Sequence, residues 1–182
     1  MKNNNLVSII IPVYNRENMI ADAVESVLSQ SYENLELVVI DDGSTDNTID
    51  EIKKIDDKRI VLLKTDHKGP YHARNIGIKK SKGDFIAFLD SDDMWLSEKL
   101  EKQMKKFNED ENIFLTFTDR FVFREKNNDY KFEIDVKRKN GKNSDNQYKE
   151  LLKNNYIVTS SVIVKKQAFE DIGLFIEENR GD

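Results

Sequence analysis

The amino-acid sequence predicts an α/β domain built on a mostly parallel sheet with helices on both faces. Three observations lead there. Mainly apolar runs recur at residues 6–13, 35–40, 60–63 and 85–89, the first rich in Ile and Val. A mainly apolar run of strand length such as 6–13 marks a strand covered on both faces. Segments with apolar residues at helical spacing separate these runs, and the connections are short. Such alternation of strand and helix makes neighbouring strands parallel, with the crossover helices packed on the sheet.

Residues 6–13 form the first strand. Asn15 then stands where it can cap a helix whose apolar stripe is Ile20, Val24, Val27 and Leu28. The second run, 35–40, leads into Asp41, Asp42, Gly43, Ser44 and Thr45. Thr45 is the expected cap of a helix carrying Ile49, Ile52 and Ile55. Residues 60–63 make a third strand. Gly69 and Pro70 open the next helix, with Pro70 suited to the first helical position, where an N–H has no partner to lose. Ala73, Ile76 and Gly77 form its inward side, Gly83 its C-terminal turn, and residues 85–89 the fourth buried strand.

Beyond Asp93, Ser97 is the expected cap of a helix with Leu100, Met104 and Phe107 on one side. Residues 113–117, 121–123 and 157–164 read as strands, and short helices are expected at 148–152 and around Ala168. The second half is therefore a smaller, mixed β portion. Residues 124–146, with Lys137, Arg138, Lys139 and Lys142, read as a solvated loop or flap rather than an anion site.

The chain has 182 residues, with 29 Lys+Arg against 34 Asp+Glu and a net charge of -5. That length suits one domain, 1–182, with residues 1–95 as a first half and 96–182 as a second. The acidic balance gives no general attraction to a nucleic-acid backbone. With no cysteine there is neither a disulfide nor a thiolate metal site, and a core of this size needs neither. Lys2 ahead of residues 6–13 has the outline of a leader. Ser8 and Pro12 interrupt the run and no small-residue cleavage pattern follows, so it reads as a strand. No run approaches the roughly 18 to 20 apolar residues of a membrane span. A soluble protein, cytoplasmic or peripheral to the inner face of a membrane, is the expectation.

In an open parallel sheet, ligands bind beyond the carboxyl ends of the strands. Strand one ends at Pro12, Val13, Tyr14 and Asn15, strand two at Asp41 and Asp42, and strand four at Asp90, Ser91, Asp92 and Asp93. Lys68 and Arg74 follow strand three. Carboxylates this close together raise one another's pKa unless a cation neutralises them. Oxygen-only ligands suit Mg²⁺ or Mn²⁺, which keep positions open for phosphate oxygens. A solvated turn is the alternative. Asp42 could accept hydrogen bonds from a base or a ribose, or could close an Asx turn. Tyr14 could stack on a base or cover the edge of the core. His67 and His72 lack metal-ligand spacing and read as surface residues or minor contacts. A receiver-type signalling domain would need a phosphorylatable Asp after the third strand and a Lys after the fifth; neither is evident. A nucleotidyltransferase would open with a glycine-rich loop, and none follows strand one.

VSIIIPVYNREN, VVIDDGSTDNT, HKGPYHARNIGI and KGDFIAFLDSDDMW, in this order and spacing, resemble the family 2 glycosyltransferases of the GT-A fold. The resemblance is close over residues 6–95 and looser beyond. It implies a Rossmann-like, mostly parallel central sheet that binds a nucleotide-diphospho-sugar. Pro12, Tyr14 and Asp42 would hold the uracil or other base. Asp90, Ser91 and Asp92 match the DXD motif, with Asp92 on Mn²⁺ or Mg²⁺ and Asp90 on the ribose or donor sugar. Lys68 or Arg74 would meet the donor, or Arg74 would bridge its helix to the acidic rim. The implied reaction is inverting transfer, most readily from a UDP-sugar, to a carbohydrate or lipid-linked acceptor in cell-surface polysaccharide synthesis. A carboxylate base would deprotonate the acceptor hydroxyl. The matching stretch is GLFIEENRGD, in which Asp182 is the base, the residue before it, or neither. The match runs out there, so a chain lacking the family's C-terminal continuation is expected. The alternative function is a nucleotide-sugar-binding fragment that turns nothing over.

Overall fold

The computed structural model describes residues 5–126, 129–134, 151, 153 and 155–177. In chain order the elements are β1 (Val7–Val13), α1 (Ile20–Leu28), β2 (Leu35–Asp41), α2 (Thr48–Lys53), β3 (Ile60–Lys64), α3 (Pro70–Lys80) and β4 (Phe85–Phe88). They continue with α4 (Lys99–Glu109), β5 (Leu115–Thr116), β6 (Phe121–Lys126), β7 (Asp129–Ile134), a 3₁₀ turn (Thr159–Ser161), β8 (Ile163–Lys165) and α5 (Gln167–Ile172). One six-stranded sheet has the order β3-β2-β1-β4-β8-β5, and β6 pairs with β7 in a separate hairpin. The β3–β2, β2–β1 and β1–β4 pairs are parallel; β8 runs antiparallel to both β4 and β5.

Every residue of β1, β2 and β4 is buried, and period-two geometry shares their side chains between two cores. Val7, Ile9, Ile11, Leu37, Val39, Phe85 and Ala87 face α1 and α4, meeting Val24, Val27, Leu100, Met104 and Phe107. Ile10, Val38, Ile40, Ile86 and Phe88 face α3 and α5, meeting Ala73, Ile78 and Phe169. Fully burying one Ile or Val contributes roughly 1.5–3 kcal/mol. β1, β2 and β4 thus contribute much of the domain's buried apolar surface, and the expected α/β architecture is the observed one.

The helix starts differ from expectation, because the predicted caps have other partners. Asn15 adopts a left-handed backbone (φ 49) and its Oδ1 accepts the Thr45 N–H at 2.8 Å, while α1 begins five residues later. At α2, the Asp46 carboxylate, not Thr45, accepts the N–H and hydroxyl of Thr48. At α4, Gln30 Oε1 reaches across to the Leu100 N–H, and Ser97 lies outside the helix. Gly83 is no helix terminator, since α3 ends at Lys80. A Cβ there would lie 2.5 Å from the Leu6 carbonyl oxygen. Close approach to β1 therefore demands glycine, and its N–H donates to Ser8 Oγ beside the buried Glu36 carboxylate.

The second half departs further. In place of a strand over residues 157–164, a 3₁₀ turn precedes a strand of three residues. The strand expected at 121–123 is part of β6, which pairs with β7, so backbone of residues 124–126 and 129–134 forms a hairpin where a loop was expected. Lys137, Arg138, Lys139 and Lys142, most of the helix expected at 148–152, and Asp182 lie outside the described residues. No helix among the described residues is long and apolar enough to cross a membrane.

Candidate active site

The strand order puts β2 and β3 on one side of β1 and β4 on the other. Chain direction across the sheet reverses there, so the connections leaving β1 and β4 part and open a crevice at their carboxyl ends. Tyr14–Arg16 form one wall and Asp90–Asp93 the other. Arg16 Nη2 and Asp92 Oδ2 face each other across it at 3.8 Å, both about half exposed.

The first wall is a double loop. Asn15 N–H donates to Ser44 Oγ, Arg16 N–H to Thr48 Oγ1, and Glu17 N–H to the Asp46 carboxylate. Glu17 in return accepts the backbone and side-chain N–H groups of Asn47. The motifs after β1 and β2 therefore satisfy each other's backbone, which is why polar residues recur in both. Gly43 turns between them at φ 83, where a side chain would be strained and would crowd His67. Pro12 is buried inside β1, opposite Ile40. Tyr14 is 39% exposed and its ring packs on His67, centroids 4.0 Å apart. Periodicity and ligand spacing carry no sign of that pairing; His67, read as a surface residue or minor contact, is an exposed contact of Tyr14, and sequence reasoning did not single out Arg16.

Asp42 sits at the floor, 3% exposed. Its Oδ1 accepts the Lys68 N–H (2.9 Å) and its Oδ2 the Gly69 N–H (2.8 Å). The carboxylate thus anchors the entry to α3, where negative charge is favoured by the helix dipole. Each oxygen keeps lone-pair capacity for a further donor. The Lys68 side chain is exposed. Arg74, buried on α3, does not reach into solvent. It donates to Asp90 Oδ1 at 2.5 Å, bridging the helix to the acidic rim, and among the described residues its buried Nε has no hydrogen-bond partner.

In the acidic turn, Asp93 N–H donates to the Asp90 carbonyl (3.0 Å), and Ser91 is buried. Asp93 keeps exposed area, yet its carboxylate backs onto protein. That burial, with Asp90 and Asp92 nearby, raises its pKa even though a Ser160 hydrogen bond opposes the rise. Of the three carboxylates, Asp90 is engaged by Arg74 and Asp93 by Ser160, while Asp92 is presented to the crevice. Among the described residues no group of three His, Cys, Asp or Glu side chains is arranged to hold a metal ion. Mg²⁺ and Mn²⁺ are commonly held by one or two carboxylates plus phosphate oxygens and water. A lone hard-oxygen ligand in an acidic field fits such an ion as one shared with a phosphate ligand.

Behind the turn, Lys99 is buried, its ammonium 3.8 Å from the Trp95 ring centroid and hydrogen-bonded to Gln103 Oε1. Burial pulls its pKa from 10.5 down to about 7. The unfolded chain therefore holds the proton over a pH range in which the folded chain has released it. Unfolding free energy should rise as pH climbs from about 7 toward 10.5 and level off below 7, where both states are protonated. The Trp95 ring favours the ammonium and trims the effect. Urea unfolding across that range should show a rise about 2 kcal/mol larger in the wild type than in Lys99→Met. Equal slopes would mean that Lys99 stays protonated.

The Glycosyl transferase family 2 model matches residues 8–173, nearly the whole chain. The chain belongs to glycosyl transferase family 2. A family relative, the UDP-Glc:alpha-D-GlcNAc-diphosphoundecaprenol beta-1,3-glucosyltransferase WfaP of Escherichia coli, is 47% identical over 118 residues. That match takes in 64% of this chain and 47% of the relative, so the chain spans less than half of that enzyme's length. A crystal structure of S. aureus TarS 1-349 superposes with a TM-score of 0.67 at 26% identity, over 96% of this chain and 51% of that 1-349 chain. TarS in complex with UDP-GlcNAc matches 57% of this chain and 31% of its own, at 32% identity and a TM-score of 0.54. The family 2 glycosyltransferase resemblance read from the four motifs and the GT-A fold it implied are thereby met.

Proposed function

We propose that the crevice between β1 and β4 binds a nucleotide-diphospho-sugar, a UDP-sugar first, and that the protein transfers the sugar with inversion to an acceptor hydroxyl. One observation carries this reading: Asp92 is the acidic-turn carboxylate left facing the crevice, opposite the wall formed by Tyr14, Arg16 and Asp42. Family membership and the donors named for WfaP and TarS support it.

In this reading Tyr14, backed by His67, stacks on the base, and Asp42 accepts a base N–H with its remaining lone pairs while holding α3 in place. Pro12 shapes the strand end beneath them. Ser91 sets the turn, Arg74 keeps the Asp90 carboxylate aimed toward the ribose or sugar, and Lys68 reaches the donor from the loop before α3. Asp92 would hold Mn²⁺ or Mg²⁺, which supplies Lewis-acid stabilisation of the leaving diphosphate. The acceptor oxygen attacks the anomeric carbon from the face opposite the diphosphate. A carboxylate takes its proton, a contribution of roughly a hundred- to ten-thousand-fold, and Asp182 is the candidate for that base or its neighbour. A lipid-linked acceptor would bring the protein to the inner face of a membrane.

A thermal-shift series tests the donor site. UDP with Mn²⁺ should raise the melting temperature well above UDP alone, since a ligand of the folded state stabilises it by mass action. No shift with any nucleoside diphosphate would sink the reading. The second reading, donor binding without turnover, draws on the share of WfaP's length this chain spans. It predicts the same shift with neither transfer nor donor hydrolysis.

A further inference from the structure

The acidic turn is held from outside its own motif. Strand β8 pairs antiparallel with β4, Ala87 opposite Ile163 and Ile86 opposite Val164. Continued three residues, that register sets Ser160 opposite Asp90. There the chain leaves the ladder for the 3₁₀ turn Thr159–Ser161, and Ser160 turns its hydroxyl onto the acidic turn. Ser160 Oγ accepts the Asp90 N–H at 3.1 Å and donates to Asp93 Oδ2 at 2.5 Å. Its carbonyl accepts Trp95 Nε1–H at 2.7 Å, and the next carbonyl, of Ser161, accepts from Gln103 Nε2 at 3.1 Å. Ser160 is 8% exposed.

One buried hydroxyl therefore grips both ends of the turn that carries Asp92, while Trp95 holds the Ser160 carbonyl and Gln103 of α4 the next one. The Asp93 carboxylate therefore has one oxygen, Oδ2, committed to Ser160. Resting on the donor-site reading above, we propose that Ser160 is the positioning residue for Asp92, and that Asp93 serves as its anchor rather than as a cation ligand. Residues that orient a metal ligand without touching the metal commonly change its affinity by 10- to 100-fold. A four-residue turn released at both ends would lose the aim of its third residue in the same way.

The test is calorimetry of UDP binding with and without Mn²⁺, beside the amide exchange rate of Asp90 in the ligand-free protein. In Ser160→Ala the Asp90 amide should exchange faster, and UDP affinity in Mn²⁺ should fall about tenfold. UDP affinity without metal should stay within about twofold, because the base-binding residues sit on other strands. Asp93→Asn, which keeps an acceptor for the Ser160 hydroxyl, should retain the Mn²⁺ response; Asp93→Ala should lose it about tenfold. This pair decides the matter even if Ser160→Ala fails to fold. Equal loss in Asp93→Asn and Asp93→Ala makes Asp93 a ligand and overturns the proposal. So does an unchanged Mn²⁺ response in Ser160→Ala beside a wild type that binds UDP with Mn²⁺, which leaves the donor-site reading standing. A wild type that binds no UDP in Mn²⁺ removes both.

Discussion

Replacing Asp92 with Asn is expected to lower the affinity for UDP in Mn²⁺ by about a hundredfold, and to leave metal-free UDP binding nearly unchanged. The substitution keeps the size of the side chain and removes the charge. Asp92 is about half exposed and its partner Arg16 stands 3.8 Å away, beyond hydrogen-bond length. Exposed pairs of that kind contribute roughly 0–1 kcal/mol, so the fold should barely register the change. A hundredfold loss corresponds to about 2.7 kcal/mol, the size expected if Asp92 is the proposed cation's carboxylate ligand. Because a single carboxylate holds such an ion poorly without phosphate, Mn²⁺ and UDP should also strengthen each other's binding by the same factor. Mn²⁺ binding tightly without UDP, or an Asp92→Asn variant with the wild-type Mn²⁺ response, would place the cation elsewhere.

Asp42→Ala should show a different pattern: weaker nucleotide binding with or without metal, together with a large loss of stability. The Asp42 carboxylate satisfies the N–H groups of Lys68 and Gly69 at the entry to α3. Hydrogen bonds to a charged acceptor contribute roughly 1.5–3 kcal/mol each, and unpaired donors at a buried carboxylate's position are costly. Unfolding in urea should reveal a loss of about 3 kcal/mol. Asp42→Asn retains one acceptor oxygen and should fall between. A variant as stable as the wild type would mean that the loop before α3 finds other partners. The contrast with Asp92→Asn separates a residue that builds the site from one that meets the ligand.

Local chemistry made the strands and the site's rim legible. Ile9, Ile10 and Ile11 in succession require protein on both sides of β1, and that requirement holds wherever β1 lies in the sheet. Helix starts were less legible. Asn15 and Thr45 have the residue types of caps, but a short polar side chain serves any nearby N–H, and these two serve each other's loop. Arg74 shows the same ambiguity. Its position after the GP turn placed it near the rim, and only its 2.5 Å bond to Asp90 distinguishes a bridge from a donor contact.

The sequence by itself determined the α/β class, the positions of the four parallel strands along the chain, and the aromatic and acidic character of their carboxyl ends. Those follow from periodicity and residue chemistry within a few positions. Tertiary structure alone decided that the ends of β1 and β4 adjoin, that β8 enters the sheet antiparallel, and that Ser160 meets Asp90 from 70 residues away. Pairings at that separation depend on which buried faces complement one another once the chain has collapsed, and no local pattern encodes them.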